Sequence, residues 1–522
     1  MQPRLAHQLA PRPLRFLQLR NHPSRNRTRR DHQLQQPGRS FHLAGGVIGA
    51  ILFFGCGLAE PTAIAAESRR PPNIVLVVAD DLGWADVGYN HGANLYETPH
   101  IDRLAAEGLR SNRFYIGAAN CAPSRATFLT GTYSPRHHVY LPQGLARGGE
   151  TSKMRWKVPT RGEDESFRTF PVSINQVDPA FVSLAELLKP AGYITARFGK
   201  WHIGDNNQGF DINSANGEVG FTTNKDGAEA RYYRDVHVAE KLTGASVKFI
   251  ESHRDHSFFL YLAHWEVHTP LAGRAERVAY FREKFRRHGR YDLDPVYAAE
   301  IEQVDRSVGR LSDCLQRLGL AEQTLFLLTS DNGALSRVTP NTPLRGGKGT
   351  FYEGGIRVPF CARWPETIRP GSVVNAPLHG VDLLPTFAEL ADVPLPSEQP
   401  VDGVSLLPLM KGAPFGGAGR ELFFHFPLYL GGGGPDRVLA ALDGTPNYWR
   451  AVPSLTIIRD NWKLIRYFEY DRVELFDLSV DVGETNECAV ENPTVVRQLI
   501  KASDRWIARV GAPVPDVPLG SR

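Results

Sequence analysis

The chain has 522 residues, of which 42% are hydrophobic and 22% are charged. These proportions are typical of a soluble globular protein, and the length allows one large domain or two ordinary ones. The formal net charge is +4, but residues 1–40 contain nine arginines and one acidic residue. Because the rest of the chain is therefore net negative, a nucleic-acid partner is not expected. Five cysteines in a chain of this length exclude a disulfide scaffold.

Residues 1–66 have the pattern of a leader that directs secretion. An arginine-rich start is followed by an apolar run over residues 43–58 and by small residues at 63–66. This is the order of a signal peptide with its cleavage site, and the apolar run is too short and too rich in glycine for a membrane span. We expect a secreted or periplasmic protein. A lipid anchor on Cys56 and a twin-arginine signal at Arg29-Arg30 are the alternatives that this segment leaves open.

Four apolar runs along the chain are each followed by polar residues. The first, residues 73–79, is continuous and β-branched, as expected of a strand buried on both faces of a parallel sheet. Similar strands are predicted over residues 193–198, 258–263 and 325–328. The polar segments that follow the four runs are Asp80-Asp81, Lys200 to His202, His264 to His268, and Asp331-Asn332. Because ligands bind at the carboxyl ends of strands in α/β sheets, these segments are candidates for one site.

The first of these segments indicates a cation. Asp80 and Asp81 are adjacent carboxylates that repel each other, and a bound cation relieves that repulsion. With Asp331 and Asn332 they make an all-oxygen ligand set of the kind that Ca²⁺ or Mg²⁺ prefers. No set of cysteines and histidines has the spacing of a zinc site. The sequence therefore predicts one hard divalent cation.

Helix signals alternate with the strands from residue 73 to about residue 410. Ser183 and Glu186 form a capping box, and Asp294-Pro295 begins a long amphipathic helix that ends at Gly319. This alternation predicts an α/β fold in which a large mixed, mostly parallel sheet is sandwiched by helices.

The pattern changes at about residue 415. Short strands over residues 455–458 and 462–467 flank a turn, a further strand covers residues 474–478, and a helix covers residues 494–507. We predict a smaller C-terminal antiparallel sheet subdomain. The predicted boundaries are 1–66 for the basic leader and signal peptide, 67–414 for the large domain, and 415–522 for a C-terminal α+β subdomain.

Cys121 opens a segment with unusual features. Pro123 and Ser124 mark the start of a helix just after it, where backbone N–H groups and the helix dipole stabilise an anion. A free cysteine is more often a small buried hydrophobe. A glycine-rich loop with one lysine, Lys348, covers residues 345–355, and its backbone can approach a ligand closely. The loop lacks a Walker pattern, so nucleotide binding is not indicated.

Taken together, these segments resemble the sulfatase family, in particular the arylsulfatase type within the alkaline phosphatase superfamily. Cys121 to Arg125 match the family's Cys-x-Pro-Ser-Arg signature. The segments Asp-Asp-Leu-Gly, Gly-Lys-Trp-His, His-Thr-Pro, Asp-Asn-Gly and Gly-Gly-Lys-Gly-Thr occur in the family's order, between about Pro72 and Leu478. The resemblance implies an alkaline-phosphatase-like fold and a sulfuric ester hydrolase that acts on an aryl sulfate or a sulfated carbohydrate.

In this family the signature cysteine is converted to formylglycine, an aldehyde whose hydrate carries two hydroxyls on one carbon. One hydroxyl attacks sulfur, and the other later expels sulfate as the aldehyde re-forms, which a serine cannot do. The resemblance implies that Cys121 is the modified residue. It also implies two partners, which are the sulfated small molecule or polysaccharide and a formylglycine-generating or anaerobic sulfatase-maturating enzyme.

The resemblance also assigns roles to the charged residues that match. Arg125 holds the hydrate, and Asp331 bridges the metal and the nucleophile. Lys200 and Lys348 bind sulfate oxygens as preorganised electrostatic stabilisation. The residues implied as ligands of one Ca²⁺ or Mg²⁺ ion are Asp80, Asp81, Asp331 and Asn332.

The resemblance implies a role in proton transfer for two histidines, and two others are candidates for contacts with the substrate. His268 donates a proton to the leaving oxygen, and His202 helps to deprotonate the second hydroxyl of the hydrate. His264 and His425 are further candidates for contacts with the substrate.

Two other functions stay open. A phosphonate or phosphodiester hydrolase of the same superfamily can share the metal and the oxidised cysteine, and a catalytically inactive homologue can bind carbohydrate without turnover. Basic segments at residues 153–168 and 274–290 suggest a sulfated polysaccharide as substrate, although both can be solvated surface. The sequence does not indicate an oligomeric state.

Overall fold

The computed structural model describes residues 70–90, 95–142, 173–204, 206–213, 235–431, 449–468 and 472–514. These residues belong to one compact unit, Glu67–Arg522. The predicted leader, including Cys56, and the basic segment 153–168 lie outside the described residues. The predicted boundary between residues 414 and 415 stays a prediction. No described helix combines the length and the apolar composition needed to cross a membrane.

Strands and helices alternate along most of the described chain. The strands are β1 (Asn73–Ala79), β2 (Leu109–Ser111), β3 (Phe114–Tyr115), β4 (Ile194–Gly199), β5 (Ile212–Asn213), β6 (Phe258–Ala263), β7 (Thr324–Ser330), β8 (Arg357–Val358), β9 (Phe360–Arg363), β10 (Ser372–Val374), β11 (Leu378–His379), β12 (Glu421–Phe426), β13 (Leu430–Gly431), β14 (Trp449–Ala451), β15 (Ser454–Arg459), β16 (Trp462–Tyr467) and β17 (Arg472–Asp477). The α-helices are Pro99–Ala106, Cys121–Thr130, Ser134–His137, Leu184–Leu188, Val238–Ser252, Ala275–Arg287, Pro295–Arg317, Glu353–Ile356, Leu383–Leu390, Leu407–Met410 and Pro493–Val510.

The large sheet has eight strands among the described residues, in the order β10-β2-β9-β7-β1-β6-β4-β5. Neighbouring strands are parallel except where β9 pairs with β2 and with β7. The predicted mixed, mostly parallel sheet is therefore confirmed.

Both faces of the large sheet are covered, as the continuous apolar run of β1 predicts. Successive residues of β1, such as Ile74 and Val75, belong to two separate buried clusters. One cluster contains residues of the helices Cys121–Thr130 and Leu383–Leu390, and the other contains residues of the helix Pro295–Arg317. Each fully buried aliphatic side chain contributes about 1.5–3 kcal/mol to the free energy of unfolding. Packing of helices on both faces therefore stabilises the sheet.

Local sequence features determine where two helices begin and where the strand β8 ends. Ser183 Oγ accepts a hydrogen bond from Glu186 N, and the Glu186 carboxylate accepts one from Ser183 N, which forms the predicted capping box. Asp294 caps the helix Pro295–Arg317 by accepting a hydrogen bond from Val296 N. One residue, Pro359, separates the strands β8 and β9. They belong to different sheets, and the proline between them has no N–H to donate.

A separate four-stranded sheet has the order β12-β15-β16-β17, and all its pairs are antiparallel. The predicted hairpin joins β15 to β16, with Asp460 at φ 55° in the turn. Trp506 of the helix Pro493–Val510 stacks on Phe423 of β12, with ring centroids 4.6 Å apart. The predicted smaller antiparallel sheet is confirmed, and the terminal helix covers one of its faces.

Candidate active site

Four neighbouring parallel strands of the large sheet, β7, β1, β6 and β4, end side by side. Ala79 pairs with Ser330, and Ala263 pairs with Gly199, so the residues after these strands share one edge. Gly199 has φ 92°, and a Cβ atom there would lie 1.9 Å from the carbonyl oxygen of Ala263, so only glycine fits. The predicted site residues at this edge are Asp80, Asp81, Lys200, His202, His268, Asp331 and Asn332.

The predicted metal ligands lie together at this edge. Asp81 has φ 64°, in the left-handed region, so the chain turns immediately after Asp80. The backbone N–H of Asp81 donates to Asp331 Oδ1 at 3.2 Å, and Asn332 Nδ2 donates to Asp81 Oδ1 at 2.8 Å. All four side chains are buried.

Three observations test whether this set fits a divalent cation. Asp80 Oδ1 and Asn332 Oδ1 are buried and have no hydrogen-bond partner in the described part of the chain. Burial raises the pKa of Asp80 to about 8, and the neighbouring carboxylates add to the rise. Burial acts in the same direction on Asp81, but Lys348, His268 and Lys200 together outweigh it and hold the pKa of Asp81 below its usual range. A cation bound to the unpaired oxygens would keep Asp80 ionised, so the set fits Ca²⁺ or Mg²⁺.

Two lysines pair with the adjacent carboxylates. Lys200 Nζ donates to Asp80 Oδ2, and Lys348 Nζ donates to both oxygens of Asp81, at 2.6 and 2.9 Å. Both lysines are buried. Burial by itself lowers the pKa of Lys348, but the acidic groups around it, Asp81 foremost, together raise the pKa above its usual value, so this amine is held in its charged form. The two lysine side chains therefore lie against the carboxylates at this edge of the sheet.

Arg125 is fully buried, and its guanidinium donates four hydrogen bonds to three residues. Its Nε and Nη2 donate to Asp331 Oδ2 at 2.8 and 2.6 Å. Its Nη1 donates to the carbonyl oxygen of Lys200 at 2.8 Å and to the hydroxyl of Tyr261 at 3.2 Å. Tyr261 was not predicted from the sequence, although its hydroxyl inside the apolar run of β6 could have indicated a buried hydrogen-bond partner. Arg125 and the two lysines together balance the three carboxylates of the site.

Cys121 is the first residue of the helix Cys121–Thr130 rather than the residue before it. It is 1% exposed, and its Sγ lies within 4.8 Å of a carboxylate oxygen of Asp80, one of Asp81 and a ring nitrogen of His268. Burial raises the pKa of the thiol, and the two lysines only partly oppose this. The side chain is therefore a neutral thiol that lies among the predicted cation ligands.

His268 and His202 lie on the more open side of the site. His268 Nε2 is 3.8 Å from Asp81 Oδ2, and the side chain of His268 is 23% exposed. Its Nδ1 donates to the carbonyl oxygen of Thr269 at 2.5 Å, so Nε2 faces the site. Burial lowers the pKa of His268 to about 3, and Lys348 adds to this. Burial also lowers the pKa of His202, whose buried Nδ1 has no partner among the described residues.

The two further histidines predicted to contact the substrate are both buried. His264 is fully buried, and its Nε2 lies 3.0 Å from Ser307 Oγ. His425 is also buried, and its Nε2 donates to the carbonyl oxygen of Pro513 at 2.8 Å. Both rings hydrogen-bond within the protein interior, and the predicted contacts with the substrate stay predictions.

The site as a whole combines four kinds of groups around Cys121. They are an all-oxygen cation set, two lysines, a fixed arginine and an imidazole on the open side. Such a set can bind a tetrahedral oxyanion ester, stabilise negative charge that develops on it and donate a proton to its leaving group.

Comparison with known proteins agrees with this chemistry. Residues 72–393 match the family model described as Sulfatase. A protein named Sulfatase from Formosa agariphila is 30% identical over 549 residues, covering 89% of this chain and 94% of that protein. N-acetylgalactosamine-6-sulfatase of Mus musculus is 34% identical over 381 residues, covering 66% of this chain and 68% of that protein. A solved structure of Ps i-CgsB in complex with k-i-k-neocarrahexaose superimposes with a TM-score of 0.65 and 26% identity, covering 86% of this chain and 95% of that one. The chain therefore belongs to the sulfatase family.

Proposed function

We propose that this sulfatase hydrolyses a sulfate monoester, with a formylglycine hydrate made from Cys121 as the nucleophile. The observation that carries the proposal is the position of Cys121 Sγ, within 4.8 Å of ligand atoms of Asp80, Asp81 and His268. A hydroxyl on the same carbon would lie among the cation ligands, beside an imidazole that can donate a proton. An ordinary buried cysteine has no such surroundings.

The charges of the site favour a singly charged ester. Asp80, Asp81, Asp331 and Asn332 would hold the cation, and when bound it supplies positive charge that offsets the charge of ester and nucleophile. Because the carboxylates are already balanced by cationic side chains, one divalent ion matches two further negative charges. A sulfate monoester and a deprotonated hydrate supply one each. A phosphate monoester carries about one negative charge more at neutral pH.

The chain's own residues carry out binding and proton transfer. Lys200 and Lys348 bind the nonbridging oxygens of the ester, and Arg125 orients the nucleophile. An anionic ester beside His268 raises the pKa of that imidazole, because a nearby negative charge favours its protonated form. His268 then gives the proton on Nε2 to the leaving oxygen, and His202 accepts a proton from the second hydroxyl so that sulfate can be released.

We infer that the substrate is a sulfated carbohydrate and that the protein acts outside the cytoplasm. N-acetylgalactosamine-6-sulfatase is named for a sulfated sugar, and the Ps i-CgsB structure contains a neocarrahexaose. The signal-peptide pattern of residues 1–66 supports secretion or export to the periplasm. Small aryl sulfates remain suitable as reporter substrates.

The test is turnover by protein co-produced with a formylglycine-generating enzyme and supplied with Ca²⁺ or Mg²⁺. We expect hydrolysis of 4-nitrophenyl sulfate and of sulfated oligosaccharides. Faster hydrolysis of a phosphonate monoester or a phosphodiester, each also singly charged, would instead favour the related hydrolase. Binding of sulfated oligosaccharides without turnover, in a sample that contains formylglycine, would favour an inactive binding protein.

Cys121→Ser provides a sharper test of the nucleophile. Serine can accept the sulfo group but has no second hydroxyl with which to expel it. The variant should therefore show no steady-state turnover and should accumulate a sulfated serine, detectable by peptide mass spectrometry. Sustained turnover by this variant would contradict the proposed mechanism, and Cys121→Ala is the control that should accumulate nothing.

A further inference from the structure

Arg337 contacts Thr269, the residue that follows the predicted proton donor His268. It belongs to residues 333–344, which connect the cation ligand Asn332 to the glycine-rich loop. The side chain is exposed, and its Nη2 donates to Thr269 Oγ1 at 3.4 Å. The carbonyl oxygen of the same threonine accepts the hydrogen bond from His268 Nδ1. Arg337 and His268 therefore contact the same residue.

The guanidinium of Arg337 has no carboxylate partner among the described residues. The basic helix Ala275–Arg287 differs in this respect, because Arg277, Lys284 and Arg286 each form an ion pair with a glutamate. The charges of that helix are largely neutralised in place, whereas the charge of Arg337 is available to a ligand. Available positive charge at this edge of the site attracts anionic groups.

The position of His268 indicates which part of a substrate reaches Arg337. The cation ligands, Cys121 and Arg125 are buried, whereas the side chain of His268 is 23% exposed, so the sulfate group points inward and the alcohol part lies toward His268. His268 gives its proton to the oxygen of that alcohol, which is the leaving group. We propose that Arg337 binds a second anionic group, a carboxylate or another sulfate, on the leaving alcohol. This inference rests on the proposed sulfatase function and adds a specificity-determining residue to it.

The size of the effect follows from the exposure of Arg337. A charge-assisted hydrogen bond is stronger than a neutral one, but an exposed pair is weakened by water and salt. We expect Arg337 to raise kcat/KM for a doubly charged substrate about three- to tenfold relative to a singly charged one. The preference should shrink as ionic strength rises.

The test compares selectivity in matured wild-type protein, Arg337→Gln and Arg337→Lys. The substrates are 4-nitrophenyl sulfate, a monosulfated disaccharide with a uronic acid, the same disaccharide with a neutral hexose, and a disulfated neutral disaccharide. Selectivity is kcat/KM for each doubly charged substrate divided by that for the monosulfated neutral disaccharide. It should fall about three- to tenfold in Arg337→Gln and recover in part in Arg337→Lys. A fall with the uronate alone identifies a carboxylate as the ligand, and a fall with the second sulfate alone identifies a sulfate.

Arg369→Gln is the matched control, because it removes the same charge from an exposed position in the turn after β9, outside both basic segments. Its selectivity should equal that of wild type. Equal selectivity in wild type and Arg337→Gln, an equal fall in Arg369→Gln, or wild-type turnover of 4-nitrophenyl sulfate alone would each overturn the inference and leave the sulfatase function intact. Failure of matured wild-type protein to hydrolyse any sulfate ester would instead overturn the proposed function.

Discussion

Lys463→Met should weaken the junction between the C-terminal sheet and the glycine-rich loop that carries Lys348. Lys463 lies fully buried on β16, and its Nζ is 3.0 Å from Glu353 Oε1 and 2.7 Å from Glu484 Oε1. Glu353 belongs to this loop, and its backbone N–H donates to Glu484 Oε2 at 2.6 Å. Methionine fills a similar volume but leaves two buried carboxylates without the cation that they share.

The magnitude follows from what remains around the two carboxylates. Removing one partner of a buried ion pair costs about 3–5 kcal/mol. Arg357 Nη1 remains 3.3 Å from Glu353 Oε2, and burial raises the pKa of Glu484 to about 7, so that carboxylate can take up a proton. These features place the cost at the low end, at about 3 kcal/mol near pH 8, which lowers Tm by about 3 °C in a protein of this size.

The cost should also depend on pH. Because the pKa of folded Glu484, about 7, lies above the usual 4.5, the folded state binds more protons than the unfolded state between these values. Stability therefore falls as pH rises through that window. Lys463 lowers the pKa of Glu484, so its removal extends the window to higher pH. The difference in Tm between variant and wild type should be greater near pH 8 than near pH 5.5.

Thermal unfolding followed by circular dichroism at both pH values measures these differences, and kcat with 4-nitrophenyl sulfate reports on the loop that carries Lys348. Lys501→Met, at an exposed position on the terminal helix, is the control and should change stability by less than about 0.5 kcal/mol. The reasoning is refuted if Lys463→Met has the Tm of wild type near pH 8, or if its deficit is the same at both pH values.

Three further predictions concern the site and its surroundings. Tyr261→Phe removes one hydrogen bond from Arg125 and should lower the free energy of unfolding by about 1 kcal/mol. The fall in kcat should be larger than the rise in KM. Unchanged kinetics would show that Tyr261 does not position Arg125. Chelation of the metal should abolish turnover, and it should remove about 2.7 kcal/mol of stability if the ion is present at about 100 times its Kd. Addition of Ca²⁺ or Mg²⁺ should restore both. Full activity in a sample that metal analysis shows to be free of metal would contradict the cation assignment. Burial raises the pKa of Asp305 to about 7. Wild type should therefore lose stability relative to Asp305→Asn as pH rises from about 4 to about 7. Parallel curves of Tm against pH for the two proteins would contradict this.

The sheet edge could be predicted because its signals are local in the sequence. The apolar run of β1 requires burial on both faces, and Asp80 and Asp81 follow it directly. Parallel strands end at a common edge, so polar residues after several such runs are brought together without knowledge of the register. The capping box of Ser183 and Glu186 is local in the same way, because its partners are three residues apart.

Features that depend on distant pairing could not be predicted. β2 and β10 are three residues long and pair across more than 200 residues, so neither has a periodicity that could be recognised. The contact between Tyr261 and Arg125 spans 136 residues and depends on how the helix Cys121–Thr130 packs on the sheet. The burial of His264 depends on a contact with a residue of the helix Pro295–Arg317. In each case packing, rather than local sequence, determines the environment of the side chain.

Peptide mass spectrometry of the segment around Cys121, with metal analysis of the same sample, tests the central claim most directly. In protein co-produced with a formylglycine-generating enzyme, the peptide should be lighter than the cysteine form by the difference between a thiol-bearing carbon and an aldehyde. The same sample should contain one equivalent of Ca²⁺ or Mg²⁺ per chain and hydrolyse sulfate esters in proportion to its aldehyde content. Hydrolysis at full rate by protein in which Cys121 remains entirely a thiol would contradict the account.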